Sequence, residues 1–377
     1  MKNKELCIET QIQLNNIFKK KTNQLNYKES LYFIAKCLTI SLEEKNRDEI
    51  ELLLKTTDVD WDNIVKVSTS HYAFPAIYCN FKRADFLKYL PSDLVEYMIH
   101  ITNLNRDRNI QILQQAQELN SLLLANNIRP VFLKGTGNLL EGLYEDIGER
   151  MVGDIDFLLS KKDFFKAIDI LKKDSYSIEE NQLGFLPGSR HYPKLVKQEN
   201  IAAVEIHKEV TIEKYRGEFN CKTIIADAQL INNFSVLSFE NQLLLSIIAS
   251  QINDYGFNIK NCSLRNAYDV FLLSKKVDTK KTISKFTILK KPLNCFLANC
   301  NLIFGDLESL DYFKTKESEY YLKVFNKSLY NRKSNLKINF KLIMINLNRR
   351  FAIVCKSVFN REIRKWLLNT IKRKIRI

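Results

Sequence analysis

Apolar residues recur at three- and four-residue intervals from Ser30 to about His100, with Leu31, Ile34, Leu38, Leu52 and Leu53 as markers. That period predicts amphipathic helices, and Pro75 and Pro91 divide the region into a bundle of short ones. Trp61, Tyr72, Phe74 and Tyr78 are expected to pack between these helices. His71 and His100 have no partner pattern and are read as structural or exposed. A longer helix is expected over 105–127, with Ile110, Leu113, Leu119 and Leu122 to Leu124 on one side and Pro130 just past its end.

The period then shortens. Val131-Phe132-Leu133 reads as a buried strand that ends in Lys134-Gly135-Thr136-Gly137, and 138–143 reads as a helix. In Asp154-Ile155-Asp156-Phe157-Leu158-Leu159 the acids alternate with apolar residues, the signature of a strand with one face in a core. Ser160 and Asp163 then resemble a capping box ahead of a helix lined by Phe164, Phe165, Ile168 and Leu171. A short strand near 176–178, a glycine-containing loop over 181–190 and two strands over 191–196 and 201–210 follow, the last two as a hairpin. From Ser238 the pattern is helical again, first through Leu243, Leu244, Ile247 and Ile248, then over 264–273. There Arg265 and Asp269 are candidates for a catalytic role or for a buried ion pair.

Carboxylates two apart on a strand share a face, about 6–7 Å from one another, and repel unless something cationic lies between them. A hard divalent ion shared with substrate phosphates answers that need for Asp154 and Asp156. The glycines at 135 and 137 let the chain turn and a ligand approach. A helix start there favours phosphate through its free N–H groups and dipole. Glu205 and His207 share one face of a later strand, so a third carboxylate is available. Lys134 is a candidate phosphate contact, and Arg150 is either a phosphate clamp or a surface arginine. His207 is either second to the carboxylates or a hydrogen-bonded structural histidine.

The order Leu133-Lys134-Gly135-Thr136, a helix, then Arg150 and Asp154-Ile155-Asp156-Phe157-Leu158-Leu159 resembles the polymerase-beta-like nucleotidyltransferase superfamily. Within it, the chain is similar to a family of uncharacterised bacterial nucleotidyltransferases with a helical N-terminal half. The motif resemblance covers about 104–278. It implies an α+β fold with a small mixed-sheet core over 104–215. Around that core the apolar periodicity predicts helical regions at 1–103 and 216–331, and the charge pattern marks a basic amphipathic tail at 332–377. The resemblance further implies that Asp154, Asp156 and Glu205 hold two Mg²⁺ ions, with Mn²⁺ as a substitute, and that Gly135 and Thr136 hold the triphosphate of an NTP. The reaction implied is transfer of an NMP to a hydroxyl of a small molecule, an RNA or a protein. Two features depart from the superfamily pattern: Thr136 stands where Ser is usual, and seventeen residues separate Thr136 from Asp154.

Composition adds three points. The 377 residues carry eight scattered cysteines with no CxxC pair, which suggests a reducing compartment, the cytoplasm. The first residues lack an apolar signal region, and no run approaches the ~18 apolar residues of a membrane span. Net charge is +15, yet fourteen Lys/Arg and one acid fall between Arg332 and Ile377, so the tail accounts for +13 of it. There Phe340, Ile343, Leu347, Phe351, Val354 and Val358 keep helical spacing. Such a helix suits an anionic membrane surface, nucleic-acid phosphates, or simple docking with a solvated basic face.

Two other functions fit the acidic motif: a D-x-D metal-dependent glycosyltransferase, and a nucleotide-binding interaction module without catalysis. About a hundred largely helical residues precede the motif, whereas a glycosyltransferase places an α/β half there. The intact acidic set disfavours the module.

Overall fold

The protein, described here from a computed structural model over residues 25–180, 182–329 and 332–375, begins with four helices. These are α1 (Tyr27–Cys37), α2 (Glu44–Thr56), α3 (Trp61–Ser70) and α4 (Phe74–Arg83). Asn26 and Glu29 close a reciprocal cap on α1, and Pro75 occupies the first turn of α4, where its missing N–H costs nothing. Trp61 packs edge-on between Phe33 and Phe81, and Phe74 and Tyr78 are buried, as expected of a small helical bundle. Tyr72 departs from that expectation. It is 53% exposed, its backbone lies in the left-handed region, and its ring carries the Arg265 guanidinium 4.9 Å from the centroid. The first 24 residues of the helical region expected over 1–103 lie outside the described residues.

Helix α5 (Ser92–Ala125) starts thirteen residues earlier than its apolar stripe suggests and runs across position 103/104. Its buried face also differs. Ile110 is 51% exposed, and the inward row is Asn105, Asn109, Ile112, Ala116, Leu119 and Leu123. The two asparagines take inward positions because their amides hold loop carbonyls: Asn105 donates to Gly148 and Arg150, and Asn109 to Ile147 and Arg150. An apolar count misses such a face, since buried amides are stable only when their bonds are made.

The sheet follows. Strand β1 (Val131–Phe132) leads into α6 (Lys134–Glu141), and β2 (Asp154–Leu158) into α7 (Phe164–Lys173). Short β3 (Ser177–Ile178) and β4 (Leu195–Val196) precede β5 (Ala203–His207). Helix α8 (Cys221–Ala226) is followed by a hairpin of β6 (Gln229–Ile231) and β7 (Phe234–Val236). The strands lie in the order β3-β4-β5-β2-β1-β7-β6, with β2/β5 and β1/β7 parallel and the other pairs antiparallel. This is a mixed α+β fold. The β6/β7 hairpin extends the sheet beyond residue 215, where helix alone was expected. Its turn, Asn232-Asn233, has positive φ at both residues, the geometry that Asn tolerates in a tight hairpin.

Ile155, Phe157, Val204 and Ile206 are fully buried on one face of the central strands, which leaves Asp154, Asp156 and Glu205 on the other.

The remaining chain is helical: α9 (Phe239–Ile248) runs into a π-helical turn (Ala249–Asn253), then come α10 (Gly256–Ile259) and α11 (Leu264–Ser274). Helices α12 (Thr279–Ser284), α13 (Lys290–Phe304) and α14 (Lys316–Leu329) complete this region, and α15 (Arg332–Phe359) and α16 (Arg361–Ile375) form the tail. One apolar core links the N-terminal helices, the sheet and the helices up to α14.

Candidate active site

The site is built from the register of two parallel strands. Asp156 on β2 lies directly opposite Glu205 on β5, and Asp154 opposite Ala203. His207, two residues past Glu205, shares its face and brings Nε2 to 2.8 Å from Asp156 Oδ1 and 3.4 Å from Glu205 Oε2. Lys134 enters from α6 and donates to Asp156 Oδ1 at 2.6 Å, with Glu205 Oε2 at 3.8 Å. Its φ of 52° is costly for a residue with a Cβ. The strained bend is the step from β1 into α6 that aims the ammonium at the carboxylates.

The electrostatics follow from this crowding. Burial raises the proton affinity of Asp156, but the Lys134 charge and the His207 bond overcome it and hold the carboxyl well below its ordinary range. Burial likewise raises Glu205, and the His207 bond and Lys134 outweigh that effect and Asp156's repulsion to leave it lowered. Burial lowers Lys134, yet Asp156 and Glu205 raise it on balance. Asp156 and Glu205 therefore form an anionic pair whose neutraliser is an internal ammonium.

Asp156, Glu205 and His207 each place a ligand atom within 4.8 Å of the others, a donor set that fits a divalent cation. The two carboxylates suit Mg²⁺ or Mn²⁺, and the imidazole nitrogen favours the softer Mn²⁺. Asp154 stands apart from this trio: Lys194 binds its Oδ2 at 2.6 Å. Thr136 and Gly135 lie in the first turn of α6, not in a turn ahead of it, because the helix already begins at Lys134. Thr136 is buried and its hydroxyl donates to the Asp154 carbonyl at 3.2 Å, which ties α6 to the start of β2. Gly137 is required sterically, since a Cβ there would lie 2.7 Å from the Phe132 carbonyl oxygen.

Arg150 is committed elsewhere. Its guanidinium grips Asp269 with bonds of 2.9 to 3.1 Å, both side chains are buried, and Tyr144 also donates to Asp269. Asp269 is thus half of a buried ion pair, but its partner is Arg150 and not Arg265. Arg265, one helical turn earlier on α11, stacks on Tyr72, and its buried Nε lacks a partner among the described residues.

Sequence reasoning missed Lys194, Arg190 and Asp254 around the carboxylates, and His191 joins them. Lys194 neutralises Asp154, and His191 bridges to His207 with ring centroids 5.2 Å apart. Arg190 has no ion-pair partner among the described residues and lies in the field of Glu205 and Asp254. Burial raises the proton affinity of Asp254 against the pull of Lys134, Arg190 and Arg265. Asp254 follows the π-helical turn and precedes Tyr255, whose φ is 60°. A π-turn next to a left-handed non-glycine residue is a pairing that sequence spacing does not reveal, although both features concentrate at functional sites.

The model of a family described as uncharacterised nucleotidyltransferase matches residues 57–305. No curated protein matches the chain. Among solved structures, JHP933 from Helicobacter pylori is similar at 12% identity and a TM-score of 0.28, covering 63% of this chain and 97% of its own. A provisionally assigned nucleotidyltransferase from H. pylori is similar at 15% identity and a TM-score of 0.26, covering 62% of this chain and 96% of its own.

Proposed function

The chain belongs to the uncharacterised nucleotidyltransferase family, and we propose that it moves an NMP from an NTP to a hydroxyl acceptor at the Asp156–Glu205 pair. The observation that supports this reading is the register of those two residues on β2 and β5, with Lys134 and His207 on the same carboxylates. Asp156 and Glu205, with Asp154 once released from Lys194, would hold Mg²⁺ or Mn²⁺. When bound, such ions draw charge from the triphosphate and make the acceptor hydroxyl easier to deprotonate.

The chain's own residues supply the rest. Lys134 has a flexible stem and no carboxylate of its own to keep once a divalent cation enters, so its ammonium is free to turn to phosphate oxygens. Arg190 offers the same phosphate a second cation. His207 Nε2 holds Asp156 in place without a cation and would turn from that bond to serve as the third donor when one is bound. Glu205 is a weak proton acceptor because its carboxyl is lowered, whereas Asp254 is the stronger base beside it.

The glycosyltransferase reading is disfavoured because the described chain ahead of β1 is helical. The test is release of pyrophosphate from each of the four NTPs with Mg²⁺ or Mn²⁺ and host extract as the acceptor source. Release that falls at least about a hundredfold in Asp156→Asn is expected. Equal release by wild type and variant would contradict the assignment.

A further inference from the structure

The tail helix α15 carries an unbroken apolar stripe that the fold leaves uncovered. Phe340, Ile343, Met344, Leu347, Phe351, Val354 and Val358 follow one another by three, one or four residues, which keeps them on one side of a helix. All seven are exposed, Phe340 at 64% and Phe351 at 70%. The tail helices α15 and α16 meet the body through other side chains. Lys356 pairs with Glu213, Lys341 donates to the Asn258 carbonyl and Trp366 Nε1 donates to the Gly184 carbonyl at 2.7 Å. Docking therefore occurs, but through these groups, and it leaves the stripe outward.

Charge decides what covers it. The segment from Arg332 to Ile377 holds fourteen Lys/Arg and one acid, and Arg349, Arg350, Arg361, Arg364, Lys365 and Lys372 are exposed. A second copy laid on the stripe would bring two such cationic segments together. Nucleic acid would satisfy the charge and leave seven apolar side chains in water. An anionic bilayer surface satisfies both, because acyl chains take the stripe and headgroups take the cations. No helix of the described residues is long and apolar enough to cross a membrane, so the tail would lie on the surface. From these complementary faces we propose that α15 is an interfacial helix that binds the protein to anionic lipid membranes.

The experiment is sedimentation of the full chain with vesicles of phosphatidylcholine alone and of phosphatidylcholine with about one-third phosphatidylserine. Binding to the second kind, weakened by salt, is expected. Phe340→Gln/Leu347→Gln/Phe351→Gln should reduce it about tenfold or more with an unchanged circular dichroism spectrum. Arg364→Gln/Lys365→Gln should weaken it further at low salt than at high salt. Absence of binding to the anionic vesicles would overturn the proposal. So would equal binding by the triple variant, or a concentration-dependent dimer in light scattering that the triple variant abolishes. Binding to an RNA homopolymer in preference to the vesicles, unaffected by the triple variant, would point to nucleic acid instead.

Discussion

Lys134 and Asp156 are joined at 2.6 Å, so the cation that neutralises the site's central carboxylate belongs to the chain itself. A divalent ion that binds Asp156 Oδ1 must displace that ammonium. The strained backbone at Lys134 keeps it in competition with metal.

Replacing Lys134 with Met should then have opposite effects with and without metal. Without metal, Asp156 and Glu205 are left facing one another, and a loss of about 3 kcal/mol is expected from breaking a buried charged pair. With Mg²⁺ or Mn²⁺, the variant should recover more stability than wild type does. Thermal melts of both proteins across a metal titration measure the difference. Equal metal-induced shifts would show that Lys134 does not compete.

Arg150 is predicted to serve the fold through Asp269. Asp269→Ala leaves a buried guanidinium without its partner, and a cost of about 3–5 kcal/mol in denaturant unfolding is expected. Arg150→Met/Asp269→Leu should lose less than the single variant, because neither charge remains buried alone. If the double variant is as unstable as the single one, the pair is not the reason Arg150 is buried.

Gly137→Ala tests the approach of α6 to β1. The added Cβ would meet a backbone oxygen at 2.7 Å, so helix or strand must shift and the Lys134 contact with it. Gly142 adopts φ 79° in open space, and Gly142→Ala should cost only about 1 kcal/mol. Unfolding midpoints of the two variants compare a clash with simple backbone strain. A milder effect at 137 than at 142 would contradict the geometry.

Stability should fall with acid through His71. Burial lowers its pKa to about 4 from an ordinary 6.5, and its Nδ1 accepts from the Leu264 N–H. The unfolded chain therefore binds the proton more readily than the native one. The stabilisation is full above pH 6.5 and is lost as pH falls toward 4. The loss is on the order of 3 kcal/mol. Denaturant midpoints at neutral and acid pH should converge in His71→Gln relative to wild type, and an unchanged pH dependence would refute the assignment.

Much of this was legible in the sequence, and the reasons differ by element. Alternation placed Asp154, Asp156, Glu205 and His207 on strand faces, since a period of two is preserved even in five-residue strands. Alternation says nothing about register, and register is what separates Asp154 from the trio and sets Asp156 against Glu205. Lys134 read as a phosphate contact, while the fold turns it to the carboxylates, because its role depends on where α6 begins. The inward face of α5 was hidden because Asn105 and Asn109 bury amides for loop carbonyls. Asp254 and Arg190 come from distant segments brought together by the π-turn and the 182–190 loop, and no local pattern links them.

The most direct test is transfer of label from α-labelled and γ-labelled NTP into host RNA, protein and small-molecule fractions, with wild type beside Glu205→Gln and Asp156→Asn. Expected are α-label in one fraction, no γ-label in any, and loss of the α-label in the two variants. Transfer of γ-label, or α-label that persists in either variant, would contradict nucleotidyl transfer at the Asp156–Glu205 pair.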